Sequence, residues 1–472
     1  MRTPGWLAGK RTIAFVAAAV LLAAGLGFVL TRRSPDPRSV VLVDPGGVSS
    51  PTPTEIETLD PASGEPLDPD PVASQSPTQD PREPEPPRAN GPSGGRATAI
   101  SADGRYVAFT SRASNLTTGD TNNVWDVFLR DRTEKRTILI SRSTSGAPLD
   151  KASELAALSG DGRVVAFKTW ETGDPTEDRA TDLYVNDLVD RRITHIEIPA
   201  AVFDAELSFD GRYMAATAGP DGSVWEVDTS SGEAVRVSVS SSGEIADSPS
   251  WVKGISGDGR FVAFEGGASN LVSDDTNGES DVFVHDRISG STQRVSLDAD
   301  GNQAHGSSEW AAMSADGRVV AFISNGMDNV EPCSDHPDNT KIYVRDLETG
   351  ALTYFRHADA PCHAFSDVSL SWDGHLVSIE FRQAGHGDGS RWLWDRSRGS
   401  VTQVFECARD DRYGASYEFN AYPASRLASS GEFLVSWTYC RLKSQDRDRA
   451  LDVYVHDFRT GAVELVSAPD GA

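Results

Sequence analysis

The chain has 472 residues and carries 70 acidic against 44 basic side chains, a formal net charge of −26. That balance argues against a nucleic-acid partner, whose phosphates need a basic face. It suits a cationic partner, bound metal ions or plain solubility, and the length allows several domains or one large repeat array.

Residues 1–11 form a short tail with Arg2, Lys10 and Arg11. The stretch Thr12–Leu30 has no charged side chain. As a helix rising about 1.5 Å per residue it would run roughly 28 Å, close to a bilayer's hydrocarbon thickness. Phe28-Val29-Leu30 runs straight into Thr31-Arg32-Arg33, without the small residues of a cleavage site. Residues 12–31 therefore read as an uncleaved signal anchor rather than a cleaved signal. Positive charge is nearly balanced across the span, so orientation follows from the rest of the chain, which suits the extracytoplasmic side. Residues 1–11 are then a cytoplasmic tail.

Residues 32–95 change character, and 15 of the 26 prolines fall here among Asp, Glu, Ser, Thr and Gly. No periodic apolar pattern can bury a core, so a disordered, partly polyproline-like linker is expected. Gly91-Pro92-Ser93-Gly94-Gly95 matches the spacing of a nucleophile elbow. That elbow needs a strand before it and a helix after it, and neither is expected.

From residue 96 to residue 468 one unit recurs. Its turn reads Ser101-Ala102-Asp103-Gly104-Arg105, and returns at Ser159, Ser208, Ser256 and Ser314. Degenerate copies follow at Ser371-Trp372-Asp373-Gly374-His375 and Ser430-Gly431-Glu432, with the glycines 48 to 58 residues apart. Asp-Gly between apolar runs signals a hairpin, because glycine accepts the positive φ such turns demand. A strand such as Phe261-Val262-Ala263-Phe264 follows each turn, then a loop, then a third strand such as Asp281–Asp286. Five third strands end in Asp-x-x-x-Gly, and a fourth strand closes the unit. A short first strand poor in large side chains precedes each serine, as expected near a crowded axis. Four antiparallel strands taken seven times predict an all-β, seven-bladed β-propeller. A solenoid of sheets is the alternative, but ring closure hides the edges better. No swapped strand is visible, so the ring should close by face packing of its end blades or by a strand from the linker.

The series Ser-x-Asp-Gly-Arg-x-Val-Ala-Phe, followed by Asp-Val-Phe-Val-x-Asp-Arg, resembles the WD40-like (PD40) repeat of TolB-type propellers. The resemblance covers roughly residues 96–468. It implies an extracytoplasmic, protein-binding module of the cell envelope. TolB itself has six blades and a further domain, whereas seven repeats and no such domain are found here. The motif residues are structural in that family, so the resemblance assigns no site.

The turn aspartates are expected to accept hydrogen bonds from turn amides. Three loops between second and third strands share another spacing: Asp120, Asn122 and Asp126; Asp275, Asn277 and Asp281; Asp446, Asp448 and Asp452. Alternating oxygen ligands suit calcium, and Asx-turns explain the pattern equally well. In blade 5 Lys341 replaces the last acid. The four cysteines, Cys333, Cys362, Cys407 and Cys440, fall on connections at one face. Outside the membrane they favour disulfides, with Cys333–Cys362 and Cys407–Cys440 preferred because each links a loop to its own blade's edge. Zinc held by Cys333, His336, Cys362 and His363 is the alternative.

Neither a metalloprotease helix motif nor a phosphate-binding loop is present. Two readings of function remain. The first is a monomeric, membrane-tethered binding or scaffold propeller for a cell-envelope protein or wall polymer. The second is a glycan-cleaving hydrolase with paired carboxylates at the channel mouth. Glu154, Trp251, Glu309 and Trp310, just ahead of first strands, together with His305, are the candidate ligand-binding residues, and Asp204 and Asp367 lie nearby. Trp125 and Tyr417 are further aromatic anchors expected on the same face, the one with variable loops.

Overall fold

In six of the seven blades the repeated turn closes on itself through its own side chains. In Ser256–Arg260 the Ser256 hydroxyl donates to Asp258 Oδ1 at 2.6 Å, and the Arg260 amide donates to the same oxygen at 3.0 Å. The Phe261 amide donates to Ser256 Oγ at 2.9 Å. Gly259 stands at φ 72°, and a Cβ there would lie 2.3 Å from Tyr213 of the preceding blade. Glycine is thus required both by the backbone and by the neighbouring blade. Arg260 then clamps Asp286 at 2.7 Å, tying the first hairpin turn to the last. The clamp recurs as Arg105–Asp131, Arg163–Asp187 and Arg318–Asp346 at 2.7, 2.9 and 3.2 Å.

The computed structural model describes residues 89–170, 182–197, 201–327, 340–355, 364–382, 390–405, 425–438, 442 and 451–469. The expected tail, membrane span and nearly all of the linker lie outside them. Among the described residues, no helix is long and apolar enough to cross a membrane.

Seven sheets of four antiparallel strands follow in strict chain order. The blades span residues 93–139, 152–196, 202–236, 250–294, 308–354, 364–405 and 425–465. First strands neighbour one another round the ring, so they line the axis. Fourth strands Arg192–Ile196 and Ser400–Phe405 complete the blades whose last strand the repeat pattern left unmarked.

The core lies between blades rather than within one centre. Phe109, Phe167, Phe264 and Phe322, from the second strands, are fully buried. Each stacks on an aromatic of the third strand (Phe128, Tyr184, Phe283 and Tyr343) with centroids 5.3 to 6.0 Å apart. Such cross-strand pairs stabilise a sheet face beyond simple area burial.

The ring closes by face packing. Ile100, Val107 and Phe109 of blade 1 share one apolar cluster with Phe433, Val435 and Trp437 of blade 7. The Ser93 amide donates to Leu451 O at 2.8 Å, as Ser153 does to Trp125 O and Ser308 to Ser280 O at interior joints. Arg132 pairs with Glu464 across the same seam at 2.8 Å. The first strand of blade 1 begins at Ser93 and remains in its own sheet, with no helix after it.

Candidate functional site

Seven inward side chains at one level of a ring cannot all be large. The residue following each repeat serine (or Ala428, which takes its place in blade 7) faces its neighbours round the axis. Ala102, Gly160, Gly257, Ala315 and Ser429 are small; Phe209 and Trp372 are not. Backbone hydrogen bonds run from blade to blade at this level: Phe209 N to Gly257 O at 3.0 Å, Gly257 N to Ala315 O and Trp372 N to Ser429 O at 2.6 Å. Phe209 of blade 3 and Trp372 of blade 6 meet edge to face across the axis, centroids 5.0 Å apart. Gly160 and Gly257 make room for them. A Cβ at Gly160 would lie 2.4 Å from the Phe209 ring, and one at Gly257 2.9 Å from Trp372. The pair therefore narrows the axis at the face bearing the Asp-Gly turns.

One level further in, two positions before each serine, the pattern repeats. Ala99, Ala157, Gly254, Ala312 and Ser369 are small, while Glu206 and Arg426 are not. Their side chains join across the axis at 3.0 Å. Asp204 and Asp367 add negative potential to the same pair. Burial pushes the Glu206 carboxyl above the usual carboxylate range, and Arg426 opposes that rise. Arg391 holds Glu380 at 2.7 Å and Asp367 at 3.6 Å.

At the opposite end lies the mouth. Lys168 pairs with Glu154 at 3.3 Å, and Lys253 pairs with Glu265 at 3.2 Å. Lys253 also lies 5.3 Å over the Trp310 ring, a cation–π contact. Trp251 meets Phe203 edge-on at 5.8 Å. Trp251 and Trp310 remain 41% and 44% exposed. The mouth thus presents exposed aromatic rings beside lysine–glutamate pairs.

The four mouth residues were expected just ahead of the first strands. The structure places them inside: Glu154 in Ala152–Leu158, Trp251 in Ser250–Ile255, Glu309 and Trp310 in Ser308–Met313. A bulge interrupts each of these first strands, between Leu155 and Ala157, Val252 and Gly254, and Glu309 and Ala312. The extra residue breaks the alternation of period two by which strands are recognised. Trp310 falls within its bulge at φ 55°, a conformation costly for a bulky side chain.

The remaining candidates divide. Glu154 is 2% exposed and bound to Lys168, so it offers no free carboxylate to the mouth. Glu309 accepts from the Ser307 hydroxyl at 2.8 Å. His305 is exposed on the connection between blades 4 and 5, and its amide donates to Gly326 O. Trp125 is 8% exposed, buried at the joint of blades 1 and 2 where its carbonyl receives the Ser153 amide. Tyr417, the four cysteines, His336, His363, Asp446 and Asp448 lie outside the described residues.

Asn122 and Asn277 close Asx-turns, accepting from the amides of Val124 and Glu279 at 3.1 and 2.9 Å. Asp275 and Asp281 are held by Gln303 and Arg294, and Asp452 accepts from Ser467 at 2.8 Å. Among the described residues no group of three or more His, Cys, Asp or Glu forms a metal site.

The two pairs that cross the axis were missed from sequence. Their signal was present: at a fixed offset from the repeat serine, each level has two residues that depart from Gly, Ala or Ser.

No family model matches this sequence, and no curated protein does. Solved propeller structures do resemble it. The tricorn protease matches with a TM-score of 0.50 at 14% identity, over 83% of this chain and 36% of that one. The propeller domain of the Trilobed protease from Pyrococcus furiosus, which has an open velcro topology, matches with a TM-score of 0.50 at 12% identity, over 80% of this chain and 96% of that one. TolB from Acinetobacter baumannii matches at 17% identity and a TM-score of 0.39, over 64% of each chain. TolB proteins are thus among the structures this chain is similar to, as its repeat motif implied. At these identities the likeness concerns the propeller fold alone.

Proposed function

We propose that this protein is a membrane-tethered, extracytoplasmic propeller that binds a cell-envelope protein or a wall polymer. The partner docks on the face bearing the second-to-third-strand loops and the inter-blade connections. One observation carries the reading: Phe209 and Trp372, the latter itself 40% exposed, meet across the axis at the turn face, while Trp251 and Trp310 stand exposed at the other end. Exposed aromatics on a rigid scaffold are the anchors that interfaces use. Glu154, Glu206, Glu265, Asp367 and Glu380 each have a basic partner, which supports binding rather than proton transfer as their work. The Pro-rich linker after the apolar span gives the ring reach, on the order of 100 Å or more if extended.

Crosslinking from the mouth in intact cells tests this. A partner should be captured, and Trp251→Ala with Trp310→Ala should weaken capture while the ring keeps its melting transition. Normal capture by the variant, or crosslinks confined to the Asp-Gly turn face, would refute the reading.

A further inference from the structure

Blades 1 and 4 carry the same Asp-x-Asn-x-x-x-Asp loop, and they build it alike. Asn122 Nδ2 donates to Leu149 O at 2.7 Å, and Asn277 Nδ2 to Ala304 O at 2.9 Å. The last aspartate of each accepts from a fourth-strand-side serine, Asp126 from Ser141 and Asp281 from Ser296. The first oxygen of the first aspartate and the second oxygen of the last then remain to be satisfied.

Blade 4 satisfies them with protein groups. Gln303 Nε2 donates to Asp275 Oδ1 at 2.8 Å and to Asp281 Oδ2 at 2.9 Å. The Arg294 guanidinium, 2% exposed, lies 3.8 Å from Asp275 Oδ1 and 3.4 Å from Asp281 Oδ2.

Blade 1 has neither group. Leu139 pairs with Phe128 as Arg294 pairs with Phe283, so leucine holds the arginine's place. Pro148 bridges Arg142 as Gln303 bridges Leu297, so proline holds the glutamine's place. The two corresponding oxygens, Asp120 Oδ1 and Asp126 Oδ2, are buried without a hydrogen-bond partner. Asp120 is 7% exposed and Asp126 0%. Arg142 is the cation whose charge acts on Asp126, but its guanidinium donates to Leu139 O and Gly146 O and pairs with neither aspartate. Asp126 keeps its Ser141 donor and Asn122 donates to both aspartates, but one buried oxygen of each carboxylate has no donor, which is costly unless a cation joins them.

We propose that blade 1 binds a calcium ion between Asp120 Oδ1 and Asp126 Oδ2, in the role that Arg294 and Gln303 perform in blade 4. The donors are hard oxygens carrying two negative charges, which suits calcium and not a thiophilic or imidazole-seeking metal. The blade 4 loop, of identical spacing, supplies its own cation and needs none. The site is independent of the mouth and of what the mouth binds.

Calcium titrated calorimetrically into the full chain, first stripped with chelator, tests this. The wild type should bind calcium and melt about 2 °C or more higher in millimolar calcium than in chelator. Asp126→Asn should lose one equivalent of bound calcium. Leu139→Arg, which copies blade 4 into blade 1, should lose the same equivalent and melt no lower than the calcium-loaded wild type. Should Asp126→Asn not fold, Asp120→Asn is read by the same titration. A wild type that binds no calcium at millimolar concentration, or variants that bind as many equivalents as the wild type, would overturn the proposal.

Discussion

Arg426 on blade 7 holds Glu206 on blade 3 across the central axis, guanidinium to carboxylate at 3.0 Å. Both side chains sit deep in the ring, which desolvates Glu206, yet each keeps a face on the axial space (41% and 29% exposed), so the pair is worth less than a fully sealed one. It is nevertheless the only partner either residue has at its level, since the five other positions hold Gly, Ala or Ser. Glu206→Ala and Arg426→Ala should each cost about 1–2 kcal/mol, and the double variant less than their sum. A double-mutant cycle by urea unfolding measures the coupling. Strict additivity would show that the pair contributes nothing.

Trp310 stands at φ 55° and is 44% exposed. The bulge holds this strained backbone at an exposed aromatic that also packs under Lys253. Glycine relieves that backbone where alanine cannot, so Trp310→Gly should be more stable than Trp310→Ala by about 1 kcal/mol. Both should weaken partner capture alike. Stability and capture would then move apart, which a merely unfolded variant cannot imitate. Equal stability of the two variants would mean the bulge adjusts freely.

His456 is 5% exposed and stacks on Phe405 with centroids 5.1 Å apart. Burial lowers its imidazole to about 4, and its Nε2 has no hydrogen-bond partner. The unfolded chain takes up that proton near pH 6.5, the folded chain only near pH 4. Its contribution is therefore complete above pH 6.5 and is lost as pH falls towards 4. His456→Phe should keep the stack and flatten the fall, by up to about 3 kcal/mol. Unfolding midpoints at pH 7.0, 5.5 and 4.5 check this, and parallel curves for both proteins would contradict it.

What could be read from the sequence was what repeats. Ser, Asp, Gly and Arg recur because most blades close the same turn and blades 1 to 5 carry the same clamp, and the fold followed from them. The first strands were read too short because a bulge at Ala156, Lys253 and Trp310 breaks their alternation. The axis was not read, because its residues are exceptions to the repeat rather than members of it. Glu154 looked like an available acid until strand register placed Lys168 directly opposite. Trp125 looked like an anchor, yet it serves the joint between two blades. Loop spacing alone could not separate blade 1 from blade 4, since Leu139 and Arg294 lie far along the chain from the aspartates they govern.

The crossing pairs also make the ring count itself. Phe209 with Trp372, and Glu206 with Arg426, each join blades three places apart, as distant as a circle of seven permits. Deleting one blade would narrow the circle and drive each pair into itself; duplicating one would part both. A repeat array gains and loses copies easily in its gene, but here such a change would be registered at the axis, by four side chains that depart from their repeat.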